Sequence, residues 1–140
     1  MKRASDWPSR LELYIAAARA RPFQWGVNDC CLFACKAIEA MTGVNPGGWF
    51  LGRYRSAIAA RHALRQFAGG GLVEAVERLA RGHAKAEVPP LSAQRGDLCL
   101  AGSLDGLDGL GICLGSRAAF MTPRGLVFVP MARVKRAWRI

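Results

Sequence analysis

Histidine is scarce in this 140-residue chain, which has only two, His62 and His83, and tyrosine is as rare. The five cysteines include no C-x-x-C pair, and neither histidine lies near one in sequence. The spacings that hold zinc are therefore missing, and neither a metal nor another cofactor is expected. No apolar run approaches the roughly 18 residues of a membrane span. The basic start MKRASDWPSR leads into a stretch broken by Glu12, Arg19 and Arg21. That is not the apolar core of a signal peptide, so export by that route is not expected, and reduced thiols in a cytosolic compartment are. Acidic residues number 10 against 20 Lys and Arg, giving a formal charge of +10. Such a balance suits an anionic partner, whether nucleic acid, envelope or acidic protein. The charge is scattered from Lys2 to Arg139 without a helix-turn-helix, zinc-finger or RNP-like motif, which argues against nucleic acid.

What is present is a core. Hydrophobic residues make up 51% of the chain, far from the composition of disorder, and the length suits one domain over residues 1–140. Apolar periodicity predicts a helix over 8–20, with Ser5 or Asp6 as cap, Pro8 in the first turn and Leu11, Tyr14, Ile15 and Ala18 as its buried stripe. The segment PFQWGVN reads as a loop pinned to the core by Phe23 and Trp25. CCLFACKAIEAM, residues 30–41, has only Lys36 and Glu39 as polar interruptions, which predicts a central helix buried on most of its circumference, capped by Asn28 or Asp29 and ended by Gly43. Amphipathic helices follow over 56–67 and 72–81, separated by three glycines.

After Pro89 and Pro90 the helical spacing stops. Short β-type runs appear at 97–101, 110–114, 118–121, 126–130 and 135–139, and SLDGLDGLG reads as a hairpin turn. Helices over about 7–82 followed by strands over about 96–140 predict an α+β arrangement, an antiparallel sheet covered by helices. Trp49, Phe50 and Trp138 are read as core residues, and as interface anchors only if exposed.

Cys30 falls at the predicted start of the buried helix. There the helix dipole and free N–H groups would stabilise a thiolate and supply an oxyanion hole. Cys31, Cys35, Cys99 and Cys113 read as small core residues. His62 and His83, in or beside Arg-rich helices, read as surface residues.

PFQWGVNDCCLF resembles the aromatic, x, Trp-Gly, then Asp-Cys-Ser-Gly signature of NlpC-type cell-wall peptidases in the papain-like group. QRGDLCL followed by GLGICLGSRAAFM resembles their Gly-Asp-Leu-Val strand and His-Val-Gly-Ile-Tyr-Leu-Gly hairpin. The whole chain is also similar to a phage-encoded papain-like family of tail gene modules, whose members share a Trp-Gly-x-x-Asp-Cys start and a Gly-Leu-Val-Phe-x-Pro plus Ala-Trp-Arg ending. Here the ending is Gly125–Pro130 and residues 137–139.

The resemblance implies a papain-like α+β fold with Cys30 as nucleophile, Asp29 as its motif neighbour, and Phe23 and Trp25 in the cleft loop. It also implies a general base at a position that here holds Gly109, and a polar orienting group where Met121 stands. Phe23 replaces a tyrosine whose hydroxyl is thereby absent. Asp108 would reach the cleft only through a register change that turns its strand neighbours to the opposite face.

A preserved scaffold without its base implies a tail-tip or baseplate assembly protein of a phage or prophage-like particle. Its partners would be the tail hub or other tail proteins, and it would reside in the bacterial cytoplasm during assembly and then in the virion tail. Two alternatives stay open. One is an active cysteine hydrolase or amidase acting on peptidoglycan peptides with an unconventional base, such as His62 or His83. The other is a basic module that binds nucleic acid or an anionic envelope.

Overall fold

The computed structural model, which describes residues 1–140, places four helices before a six-stranded antiparallel sheet. The helices are α1 Trp7–Ala18, α2 Leu32–Thr42, α3 Ala57–Ala68 and α4 Leu72–His83. The strands are β1 Ala86–Val88, β2 Leu98–Leu104, β3 Leu107–Cys113, β4 Arg117–Thr122, β5 Gly125–Pro130 and β6 Arg136–Arg139, in the spatial order β1-β6-β2-β3-β4-β5. The α+β architecture read from the sequence is therefore present. β1 was not expected, because three residues carry no alternation of their own; it forms by pairing with β6.

Helix α2 buries Leu32, Phe33, Ala34, Cys35, Ala37, Ile38 and Met41 and ends at Gly43, as its composition demanded. It starts at Leu32, two residues later than expected, because the Asp29 carboxylate accepts hydrogen bonds from the N–H groups of Cys31 and Leu32 and thereby sets the first turn. Helix α1 lays Leu11, Ile15 and Ala18 against the core, and the Tyr14 hydroxyl donates to the Phe33 carbonyl of α2 at 2.8 Å. Asp6 occupies the N-cap position without capping through its side chain; its carboxylate instead pairs with Arg10, one turn on, at 2.7 Å. Neither proposed cap residue acts as one.

Strand alternation sorts the sheet into two faces. Leu98, Leu100, Leu110, Ile112, Met121 and Trp138 join the cluster beneath the helices, while Cys99, Ala101, Cys113, Phe120, Val129 and Ala137 form a smaller cluster on the reverse. Phe50 and Trp138 are buried, and Trp49 is half-buried against Phe50 and Phe67, so these aromatics belong to packing. The β2–β3 hairpin turns on Asp105 and Gly106, both with positive φ (52° and 81°), the conformation of a two-residue type I′ turn. Just before it, β2 carries a bulge between Ala101 and Leu104.

Asp97 is fully buried at the start of β2 and ties both ends of the chain together. Its carboxylate pairs with Arg3 and with Arg139, each at 3.0 Å, and also accepts from the N–H groups of Gln94 and Ile140. Such a charge is tolerated in the interior only when fully partnered. No helix is long and apolar enough to cross a membrane.

Candidate functional site

The loop from Pro22 to Cys31 is folded around a second buried carboxylate. Asp29 is completely buried, and its Oδ1 accepts from Cys31 N at 3.0 Å and Leu32 N at 2.9 Å. Its Oδ2 accepts from Gly26 N at 2.9 Å and from the Tyr54 hydroxyl at 2.6 Å. Gly26 adopts φ +79°, and a Cβ there would collide with the Tyr54 carbonyl, so only glycine lets this turn close on the Tyr54 segment. Asn28, also buried, donates to the Pro22 carbonyl at 2.9 Å. The Trp-Gly-x-x-Asp spacing is thus a local device: glycine brings the loop in, and the aspartate, three residues ahead of the first residue of α2, gathers the N–H groups of Cys31 and Leu32.

Cys30 follows Asp29 and is half-buried at one wall of a cavity of about 140 Å³. Trp25, Cys31 and Tyr54 share that wall, Ala57, Ala60, Arg61 and Leu64 come from α3, Leu72 opens α4, and Leu107 and Asp108 come from β3. The lining is apolar except for Arg61 and Asp108. Phe23 does not line it; its ring stands edge-on to Trp25, with centroids 4.8 Å apart. The backbone anchors Cys30 to the sheet, because Leu110 N donates to the Cys30 carbonyl at 2.7 Å.

Sequence reasoning expected the helix start to activate this thiol, and the structure corrects that. Burial, followed by the negative charge of Asp29, pushes the Cys30 pKa up to about 12; Asp108 adds to the rise, and only the hydrogen bond to its own backbone opposes it. The dipole argument fails because Cys30 lies ahead of the N-cap residue Cys31, and the first N–H groups of α2 are already taken by Asp29.

The other expected positions fall as follows. Gly109 directs its missing side chain toward Leu104 and Phe120 of the reverse face, where a Cβ would sit 3.2 and 3.6 Å from their side-chain carbons and 3.8 Å from the Cys30 carbonyl oxygen. Met121 is buried in the helix-side cluster and does not reach the cavity. Asp108 needs no register change to reach the cleft. Leu110 and Ile112 face α2, so strand parity puts Asp108 on that side too. His62 is exposed on α3, and His83 lines a separate internal void with Cys35, Leu79 and Leu98. Neither imidazole lines the Cys30 cavity.

Two residues escaped the sequence reading. Tyr54 sits in an Arg-rich loop with no pattern to mark it, although tyrosine's rarity was a hint. Arg61 was legible: Ala57, Ala60, Arg61 and Leu64 recur at helical spacing, so one face of α3 carries an arginine into an otherwise apolar stripe. The remaining cysteines are packing residues. Cys31, at the N-cap of α2, and Cys35 within it are buried, and Cys99 and Cys113 lie on the reverse face, where the nearby Cys113 thiol and burial raise the Cys99 pKa.

Comparison with known proteins gives three results. Residues 2–140 match the family DUF6950, described as a domain of unknown function. No curated protein sequence matches. Among solved structures, the NlpC/p60 domain of the peptidoglycan hydrolase SagA superposes with a TM-score of 0.59 at 17% identity, covering 94% of this chain and 97% of that one. At that identity the likeness establishes the fold, which is papain-like of the NlpC/p60 type.

Proposed function

The chain belongs to the DUF6950 family and carries the NlpC/p60 fold of a peptidoglycan hydrolase-type scaffold, and from this premise we propose that it is a non-hydrolytic component of a phage or prophage-like tail, acting in tail-tip or baseplate assembly. One observation supports the loss of hydrolysis above others. The Cys30 thiol, pushed up to about 12, faces a cavity that no imidazole lines. At pH 7 about one such thiol in 10⁵ is ionised. A cysteine hydrolase needs a base within hydrogen-bond reach to draw off that proton, and its removal costs several orders of magnitude in rate. Asp108, the carboxylate nearest to that role, acts on the sulfur as a like charge that holds the proton on.

The tail assignment draws on the resemblance of Trp25-Gly26, Asp29-Cys30, Gly125–Pro130 and residues 137–139 to the phage tail-module family. In this reading the Asp29 turn and the α2–sheet core serve to hold a shape, and a scaffold can outlive the chemistry once performed on it. The partners are the hub or other tail proteins.

The test has two arms. Purified protein incubated with peptidoglycan sacculi should release no new peptide termini by mass spectrometry. In a phage or prophage that encodes the chain, Cys30→Ala should leave particle yield and infectivity unchanged, whereas deletion of the gene should abolish tails. Cys30-dependent release of stem peptides, or normal particles that fail to infect after Cys30→Ala, would reinstate the hydrolase.

A further inference from the structure

The sheet ends in an edge that its own sequence protects only at the last residue, Pro130. Strand β5 pairs with β4 over six residues without a register break, from Arg117↔Pro130 to Thr122↔Gly125, and has no neighbour on its far side. Met131 N donates to Ser116 O, in line with the same ladder, and this fixes the alternation: Val127 and Val129 bond to β4, while Leu126 and Phe128 point their N–H and C=O groups outward. No loop or side chain takes up those outward groups. Natural edges are blunted by charge, proline, bulges or shortness. The opposite edge, β1, is only three residues long and has Glu87 bound to Arg136. From Gly125 to Val129 strand β5 has no charged residue, proline or bulge, and Pro130 closes only its last position.

Two guanidinium groups converge on the centre of this edge. Arg19, just past the end of α1, and Arg117, on β4, each place their guanidinium carbon 4.8 Å from the centre of the Phe128 ring. Neither has a carboxylate within salt-bridge distance, a state they share with nine other arginines; what sets these two apart is that both lie over the ring of an edge-strand residue. The charge is thus uncompensated where the unpaired backbone is exposed.

We propose that β5 is a docking edge for an extended acidic segment of another protein, which adds as a seventh strand and sets carboxylates against Arg19 and Arg117. Backbone pairing supplies the attachment, and the two arginines supply the choice of partner. A second copy of this chain is disfavoured, because pairing of β5 with β5 would bring four unpaired guanidiniums together on two chains of charge +10 each. Nucleic acid could satisfy the arginines but offers no alternating N–H and C=O groups for Leu126 and Phe128. The inference stands whether or not Cys30 is catalytically silent, since β5 contributes nothing to that cavity.

The experiment titrates the ¹⁵N-labelled protein with an acetylated ten-residue peptide alternating Glu and Val. Controls are a peptide of identical composition with Glu and Val in two blocks, a peptide alternating Lys and Val, and a short DNA duplex. The alternating Glu peptide should bind, slow the exchange of the Leu126 and Phe128 amides, and leave those of Val127 and Val129 little changed. The block and Lys peptides should bind at least about tenfold more weakly, and Arg19→Glu combined with Arg117→Glu should weaken the Glu peptide by at least about tenfold while the far-ultraviolet circular dichroism stays unchanged. If the charge-reversed chain does not fold, Leu126→Pro serves instead, because it removes one outward N–H and no ladder bond. The proposal is overturned if the block peptide or the duplex binds as well as the alternating peptide, if the Leu126 and Phe128 amides do not respond, or if the chain dimerises through β5.

Discussion

The hydroxyl of Tyr54 donates to the Asp29 carboxylate at 2.6 Å, and this bond joins the loop before α3 to the turn that launches α2. Asp29 is the only partner for four donors, so Asp29→Ala should cost about 3–5 kcal/mol by leaving those donors buried and unpaired. Tyr54→Phe removes one of the four and should cost about 1–3 kcal/mol. Urea denaturation of both variants and the double variant checks this; a double variant no worse than Asp29→Ala shows that the hydroxyl acts through the carboxylate.

Gly26→Ala tests the same turn from the backbone side. It would introduce both an unfavourable φ of +79° and a collision with the Tyr54 carbonyl. The loss should therefore exceed the roughly 1 kcal/mol expected of glycine replacement by conformational strain alone. A thermal midpoint within a degree or two of the parent would contradict the close approach.

Alkylation of Cys30 should be slow at neutral pH and should rise about tenfold per pH unit from 7 to 10 without a plateau, because the thiol is held protonated up to about 12. Fragment-ion sequencing by tandem mass spectrometry separates it from Cys31 and Cys35, which share its peptide, and from Cys99 and Cys113, all fully or nearly buried. A plateau near pH 7 would mark an activated nucleophile. Asp108→Asn should bring the onset to lower pH, since that carboxylate contributes to the rise.

Stability should decline on the alkaline side. The folded chain keeps the Cys30 proton up to about 12, while the ordinary thiol value is 9.0; burial raises Tyr14 and Tyr54 above 10.0 as well. Above pH 9 the unfolded chain therefore binds fewer protons than the folded one, so rising pH favours unfolding. The Cys30 contribution is fully present below pH 9 and is lost progressively between pH 9 and about 12, while that of Tyr14 and Tyr54 begins to be lost only above pH 10. Cys30→Ser should flatten the first part of that decline in a pH series of chemical denaturation.

The helices and the hairpin were legible because their signals are local. The apolar run 30–41 reads as a buried helix, and the segment SLDGLDGLG reads as a turn, but which of its two Asp-Gly pairs turns was not legible: the strand expected at 110–114 begins at Leu107, which leaves Asp105–Gly106 as the turn. Strand β1 and the pairing order were not, since both depend on which segments meet in space. At the site, Asp29 and Cys30 were visible as a motif, but the sulfur's character was read with the wrong sign: a helix start attracts negative charge only if its N–H groups are free, and here they are spent on Asp29. The side of β3 that faces the cleft could have been settled from Leu110 and Ile112, whose burial against α2 carries Asp108 with them.

Asp97 draws Arg3 and the last two residues onto one carboxylate, and residues 2–5 share a surface groove with Arg139 and Ile140. A short flexible linker can join ends held this way. The backbone could then be closed into a ring and cut anew at the Asp105–Gly106 turn, giving a circularly permuted protein in which β2 and β3 pair without a covalent connection between them.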